Sequence, residues 1–157
     1  MEKSPASLPA DAIRGGCSIS FSKKFHPVQG DFLSTPPFSI LSSWKCRDGE
    51  ELSIDKYEIN GSSPDLITVF YWERRNIVTL VKWRVNSEIS DYSGDYYRVF
   101  AYIYSTKFGS PKFIRDDDLM KHFPAGFDGF TKDGEPVIYP FKDAASIRKK
   151  LRSINFN

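Results

Sequence analysis

Hydrophobic and polar positions alternate along much of the chain with the two-residue period of a strand. Ser18 to Phe25 carries Ile19, Phe21 and, after a lysine pair, Phe25. Ser39 to Cys46 is a second strand candidate, and Arg47-Asp48-Gly49-Glu50 turns it into a third, Glu51 to Ile59. The Asp-Gly pair supplies the positive φ that a tight hairpin needs. Within the third strand the apolar parity passes from Leu52 and Ile54 to Tyr57 and Ile59, which one extra residue, a β-bulge, would produce. Leu66 to Trp72 is a continuous apolar run, Glu73-Arg74-Arg75-Asn76 is a short turn, and Ile77 to Val85 follows. There Ile77, Thr79, Val81, Trp83 and Val85 share one face, with Lys82 and Arg84 on the other. After a loop from Ser87 to Asp95, the run Tyr96 to Tyr104 sets Val99, Ala101 and Ile103 against Arg98, Phe100 and Tyr102. Three such runs joined by polar connections predict an antiparallel meander, because parallel strands would need crossover helices and none fits between them.

Beyond Ser105 the pattern changes. Asp116-Asp117-Asp118 precedes a short helix, Leu119 to Phe123, stopped by Pro124. Lys132-Asp133-Gly134-Glu135 is a hairpin turn between Phe130-Thr131 and Pro136 to Tyr139. Ala144, Ile147, Leu151 and Ile154 then fall on one stripe of a helix spanning Asp143 to Ile154, capped by Asp143 and basic toward its end. Met1 to Gly16 is polar and holds two prolines. The expected architecture is therefore a loosely ordered segment over residues 1–15 and a single α+β domain over 16–157. That domain is an antiparallel β-meander sheet with a C-terminal α-helix packed on one face.

Composition narrows the functions open to this fold. An aromatic fraction of 15% in 157 residues excludes a disordered chain. Lys and Arg total 22 against 20 Asp and Glu, which makes no electrostatic case for nucleic acid. No stretch approaches the roughly 18 consecutive apolar residues of a membrane span. The N-terminus lacks the apolar core of a signal peptide, so the cytoplasm is the expected compartment. There Asn60-Gly61-Ser62 reads as a turn rather than a glycosylation site, and Cys17 and Cys46, the only cysteines, as two half-buried structural thiols. Nothing calls for a metal or cofactor.

Candidate chemistry is sparse. None of the motifs G-x-S-x-G, G-x-x-x-x-G-K, G-x-G-x-x-G or H-E-x-x-H is present. His26 and His122 are the whole histidine supply, and a metal-independent ribonuclease would use two imidazoles as base and acid beside Lys23, Lys24 or Lys121. Phe100, Tyr102 and Tyr104, beside Arg98, would stack unpaired bases if exposed, but a helix lying across the sheet would bury them as core. In Asp116-Asp117-Asp118 three adjacent carboxylates do not converge on one ion, and acids at a helix start are accounted for by capping and the dipole. The basic residues Lys142, Arg148, Lys149, Lys150 and Arg152 read as a solvated helix face. What remains is the segment Glu88 to Tyr97, where Glu88, Asp91 and Asp95 surround Tyr92, Tyr96 and Tyr97. Tyrosine is enriched at interfaces, and carboxylates around it would steer a basic partner. Glu88, Asp91, Tyr92, Asp95 and Tyr96 are thus the predicted partner-binding residues, with Asp116, Asp117 and Asp118 as a second acidic contact.

The meander Leu66 to Tyr104, followed by the closing segment Lys132 to Asp143 and its helix, resembles in organisation the bacterial immunity proteins of contact-dependent growth inhibition systems. The resemblance implies a cytoplasmic, non-enzymatic partner of a cognate toxin domain, which it neutralises by covering the toxin's active site. The alternative is the small ribonuclease built on His26 and His122.

Overall fold

The computed structural model describes residues 6–30, 35–85 and 92–157. The strands form two antiparallel sheets, with a helix on the outer face of the second. β1 (Ala6–Pro9), β2 (Cys17–Phe25), β3 (Phe38–Cys46) and β4 (Glu51–Tyr57) make the first sheet in sequence order. The second contains β5 (Asp65–Trp72), β6 (Asn76–Val85), β7 (Tyr92–Ser105), β8 (Lys112–Arg115), β9 (Gly126–Thr131) and β10 (Pro136–Val137). Its order is β10-β9-β7-β6-β5, with β8 also paired to β7. The helices are α1 (Asp117–Met120) and α2 (Ala144–Ser153). The α+β class, the antiparallel pairing and the C-terminal helix are as expected, but the strands are divided between two sheets rather than gathered into one.

The division follows from which residues need covering. Ile77 to Val81 are all buried, so β6 has apolar neighbours on both faces. On one face Ile77, Val81, Trp83, Phe100 and Tyr102 pack against Ile19, Ile40, Trp44 and Tyr57 of the first sheet. On the other, Phe70, Val78, Leu80, Val99 and Ala101 pack against Leu119, Phe123, Ile147 and Leu151. Ile147 and Leu151 are fully buried, each contributing roughly 1.5–3 kcal/mol. The expected helix stripe is therefore correct, but it lies on Val78, Leu80, Val99 and Ala101. The Phe100–Tyr102 face, expected beneath the helix, is covered by the first sheet instead. The chain crosses between sheets through residues 58–64, anchored where Trp83 Nε1 donates to the Glu58 carbonyl (2.8 Å) and Ser62 Oγ to the Arg84 carbonyl (2.9 Å).

Two expectations are corrected at the N-terminal end. Ala6–Pro9 pairs with Phe21 to Ser18, and Ala10 is fully buried, so residues from 6 onward belong to the fold. Cys17 and Cys46 are not free thiols. They stand opposite each other in the β2–β3 register and are joined by a disulfide. A separation of 29 residues hides this pairing in the sequence, because only the strand register brings the two together.

The predicted bulge is present. Ser42 faces Asp55 and Ser43 faces Ser53, leaving Ile54 as the extra residue on β4. A bulge re-aims the side chains that follow it, and here it turns Asp55 inward. Tyr102 Oη donates to Asp55 Oδ2 (2.7 Å), and Arg115 binds the same oxygen (2.9 Å). Since the proton of Tyr102 is spent on the carboxylate, Tyr57 Oη donates to Tyr102 (2.8 Å) and Thr79 Oγ1 to Tyr57 (2.8 Å). This relay fastens the two sheets, and burial pushes both phenols well above the usual tyrosine range.

Candidate functional site

β7 is the longest strand among the described residues and carries three of the predicted partner-binding residues, Tyr92, Asp95 and Tyr96. One edge pairs with β6 from Gly94 to Ile103. The other pairs with β9 over Tyr92–Tyr97 and with β8 over Tyr102–Ser105. Between them, Ala101 accepts a hydrogen bond from the Asp116 amide (2.9 Å). Tyr92 and Asp95 therefore lie in a strand rather than in the expected loop, and Tyr96 continues the same strand. Glu88 and Asp91 lie outside the described residues.

The β7–β9 ribbon is folded at one point. Gly94 and Gly129 are register partners at φ +135° and +146°, and a Cβ on either would run into the facing strand, at the Asp128 or the Ser93 carbonyl. The consequence appears in the aromatic residues. Tyr92 pairs with Thr131, four residues from Phe127, or about 13 Å along a flat ladder at roughly 3.3 Å per residue. Yet the Tyr92 and Phe127 rings stack at 4.1 Å and 6°. The glycine pair lets the ribbon bend sharply enough for them to meet. Tyr96 adjoins Phe127 (5.0 Å) and Trp83 (6.1 Å), so an aromatic strip runs from the ribbon to the edge of the inter-sheet core. Phe130 (56% exposed) and Ile138 (77%) are among the most exposed large apolar side chains and belong to the same ribbon or its immediate extension.

Asp95 lies on the opposite face from Tyr96 and is not a free acid. It faces Asp128 in the β7–β9 register, and each carboxylate has its own lysine: Lys82 for Asp95 (3.9 Å) and Lys142 for Asp128 (2.8 Å). The hydrogen bond from Lys142 holds the Asp128 carboxyl below its usual range. Tyr97 and Tyr139 stack beside this layer (5.3 Å, 4°), and burial is the main cause that raises both phenols, Tyr139 to about 12.

The acidic triplet separates. Asp116 is 5% exposed: it caps α1 through the Leu119 amide (3.2 Å) and accepts from Asn76 Nδ2 (2.9 Å). It is therefore corrected from a contact residue to a buried helix cap. Asp117 and Asp118 are exposed, Asp118 near Lys121 (3.5 Å). They sit beyond the unpaired stretch of β7 and are not joined to the aromatic strip by any contact among the described residues.

The two histidines lie in different layers. His26 follows β2 in the first sheet and shares a hydrogen bond with Ser39 (3.1 Å), which is itself fully buried. His122 follows α1 on the far side of the second sheet, edge-on to Phe156 (6.1 Å). Sheet two stands between them. Elsewhere, an open groove of about 440 Å³ beside the disulfide is lined in part by Pro9, Asp11, Lys45 and Arg47, and Asp11 is already engaged by the Gly16 amide (2.9 Å). No three potential metal ligands cluster among the described residues, and none of their helices is long and apolar enough to cross a membrane.

The sequence places Arg98 on the Phe100–Tyr102 face without joining it to the tyrosines of the strip, and it marks neither Phe127 nor the Gly94–Gly129 pair. The alternation that sets Arg98 with Phe100 and Tyr102 extends back to Tyr96; nothing local marks Phe127 as the ring that meets Tyr92. No family model, curated protein or solved structure matches the chain.

Proposed function

We propose that this chain is a binding protein that docks a partner on the folded β7–β9 ribbon, and that the partner is a toxin domain it neutralises as an immunity protein does. The observation that carries the docking surface is the glycine-folded aromatic strip Tyr92–Phe127–Tyr96, and the same ribbon and its extension expose Phe130, which alternation places on the Asp95–Asp128 face, and Ile138. Rigid aromatic rings lose little entropy on contact and dominate interface energetics. A stable occluding complex needs roughly 1,200 Å² or more of buried surface, so the partner must cover more than the strip itself. The separation of His26 from His122 by a whole sheet leaves the ribonuclease alternative without a shared site. The cytoplasmic location belongs to the immunity reading, and the Cys17–Cys46 bond, which a reducing compartment disfavours, weighs against it.

Photo-crosslinkers installed at Phe130, Ile138 and, as an equally exposed control, Phe108 test the proposal in the source cells. One protein is expected to be captured from the first two positions and not from the third. A domain of that protein expressed alone should arrest growth, and co-expression of this chain should restore it, less effectively with Tyr96→Ala. Arrest caused by the chain itself, or capture independent of position, would overturn the proposal.

A further inference from the structure

Arg98 occupies an inward-facing position of β7, in line with Tyr96, Phe100 and Tyr102, where an apolar residue would be expected. Its guanidinium lies over the buried Phe100 ring, with Cζ 4.7 Å from the centroid. Arg115 lies 5.2 Å from the same centroid, so the two guanidinium carbons stand within about 10 Å of one another. Their charges are handled differently. Arg115 is paired with Asp55, whose carboxylate also takes the Tyr102 hydroxyl. Arg98 has no carboxylate within ion-pair distance among the described residues, although it is half-buried. On the strand and crossing of the first sheet, Asp55 is committed to Arg115 and Glu58 to Lys56 (3.3 Å). Asp95, next but two along the strand, points to the other face and is paired with Lys82.

A half-desolvated guanidinium without a counter-charge, at the end of an aromatic strip, is complementary to an incoming carboxylate, because its planar fork accommodates both oxygens. We infer that Arg98 is the anchor of the β7–β9 docking surface and receives an aspartate or glutamate side chain of an acidic protein partner. This rests on the docking reading above and reverses the polarity expected from the sequence, where carboxylates around the tyrosines implied a basic partner. With Asp95 turned away and neutralised, the described residues of this face present a cation.

The test follows the side-chain Nε–Hε signal of Arg98 by NMR in the full chain during titration with a blocked hexaglutamate peptide, inorganic phosphate and a ten-residue oligothymidine. Hexaglutamate is expected to shift the Arg98 signal saturably. Arg98→Gln should weaken peptide binding at least fivefold, Arg98→Lys should weaken it less, and Arg152→Gln on α2 should leave it unchanged. An unmoved Arg98 signal would sink the inference, as would tighter binding of the oligonucleotide, which would point to a nucleic-acid phosphate instead. If Arg98→Gln fails to fold, the wild-type titration and Arg98→Lys decide the matter. Position-specific crosslinking together with an inert Arg98 would leave the docking surface standing and remove its anchor alone.

Discussion

Two charged residues make the β5–β6 turn in a backbone conformation that suits neither. Glu73 and Arg74 both sit at φ 51°, and the Arg75 amide closes the turn on the Trp72 carbonyl (3.0 Å). Positive φ at both central positions matches the strand twist but favours Asn-Gly, and an L side chain there costs about 1 kcal/mol. The turn itself was legible, because four polar residues interrupt two apolar runs; its handedness was not, since nothing in Glu-Arg specifies a left-handed pair. Replacing Arg74 with Gly relieves one such residue and offsets part of the gain through a more flexible unfolded chain. The expected result is a net stabilisation of about 0.5 kcal/mol, a rise in Tm of roughly 1–2 °C by thermal unfolding. A lower Tm would mean that the Arg74 side chain holds something the backbone cost conceals.

Among the elements, the β7–β9 ribbon depends most on a close backbone approach. Ser93-Gly94-Asp95 resembles a loop in composition, and glycine in a strand pattern marks either a break or a close encounter with another chain segment. The sequence alone favours the break; the encounter becomes visible only when Gly129 arrives from 35 positions further on. By contrast, the hairpin at Lys132 to Glu135, the Asp143 cap on Ser146 (2.7 Å) and the Ile54 bulge were all readable, because each is fixed by residues within a few positions of one another. Gly94→Ala should therefore act locally and strongly. Its Cβ has no room against the Asp128 carbonyl, so the ribbon must open and Tyr92 must leave Phe127. Hydrogen exchange is expected to accelerate across Tyr92–Tyr97 and Gly126–Thr131 while the β5–β6 amides keep their protection. Uniform acceleration over both regions would show that the fold in the ribbon supports the whole sheet.

Across the whole molecule, the sequence specified two buried faces on the central strands without specifying what covers each. Alternation in β6 and β7 reports that both parities are apolar, but Phe100 and Tyr102 are as compatible with a helix above them as with a second sheet. The choice is made by size and polarity: the helix rests on the smaller Val78, Leu80, Val99 and Ala101, while Phe100 stacks near Tyr57 and the Tyr102 hydroxyl meets Tyr57 and Asp55, which can satisfy it. The same arrangement gives the fold a pH signature. Tyr57, Tyr102 and Tyr139 are all pushed above the ordinary value of 10.0, chiefly by burial, and Tyr139 reaches about 12. Below about pH 10 these phenols are neutral in both folded and unfolded chains, so their contribution is fully present. As the pH rises further, the unfolded chain releases protons that the folded chain retains, and stability falls with increasing pH. Denaturant unfolding followed from pH 8 to 12 should show a steep loss beginning near 10. Tyr139→Phe removes one of the three titrations at the cost of the hydrogen bond to the Pro124 carbonyl (3.0 Å). The variant should be slightly less stable at pH 8 yet lose less stability by pH 12. A decline of the same size in both proteins would show that Tyr139 is hydrated in the folded state and that the outer layer over β9 is looser than its stacked rings imply.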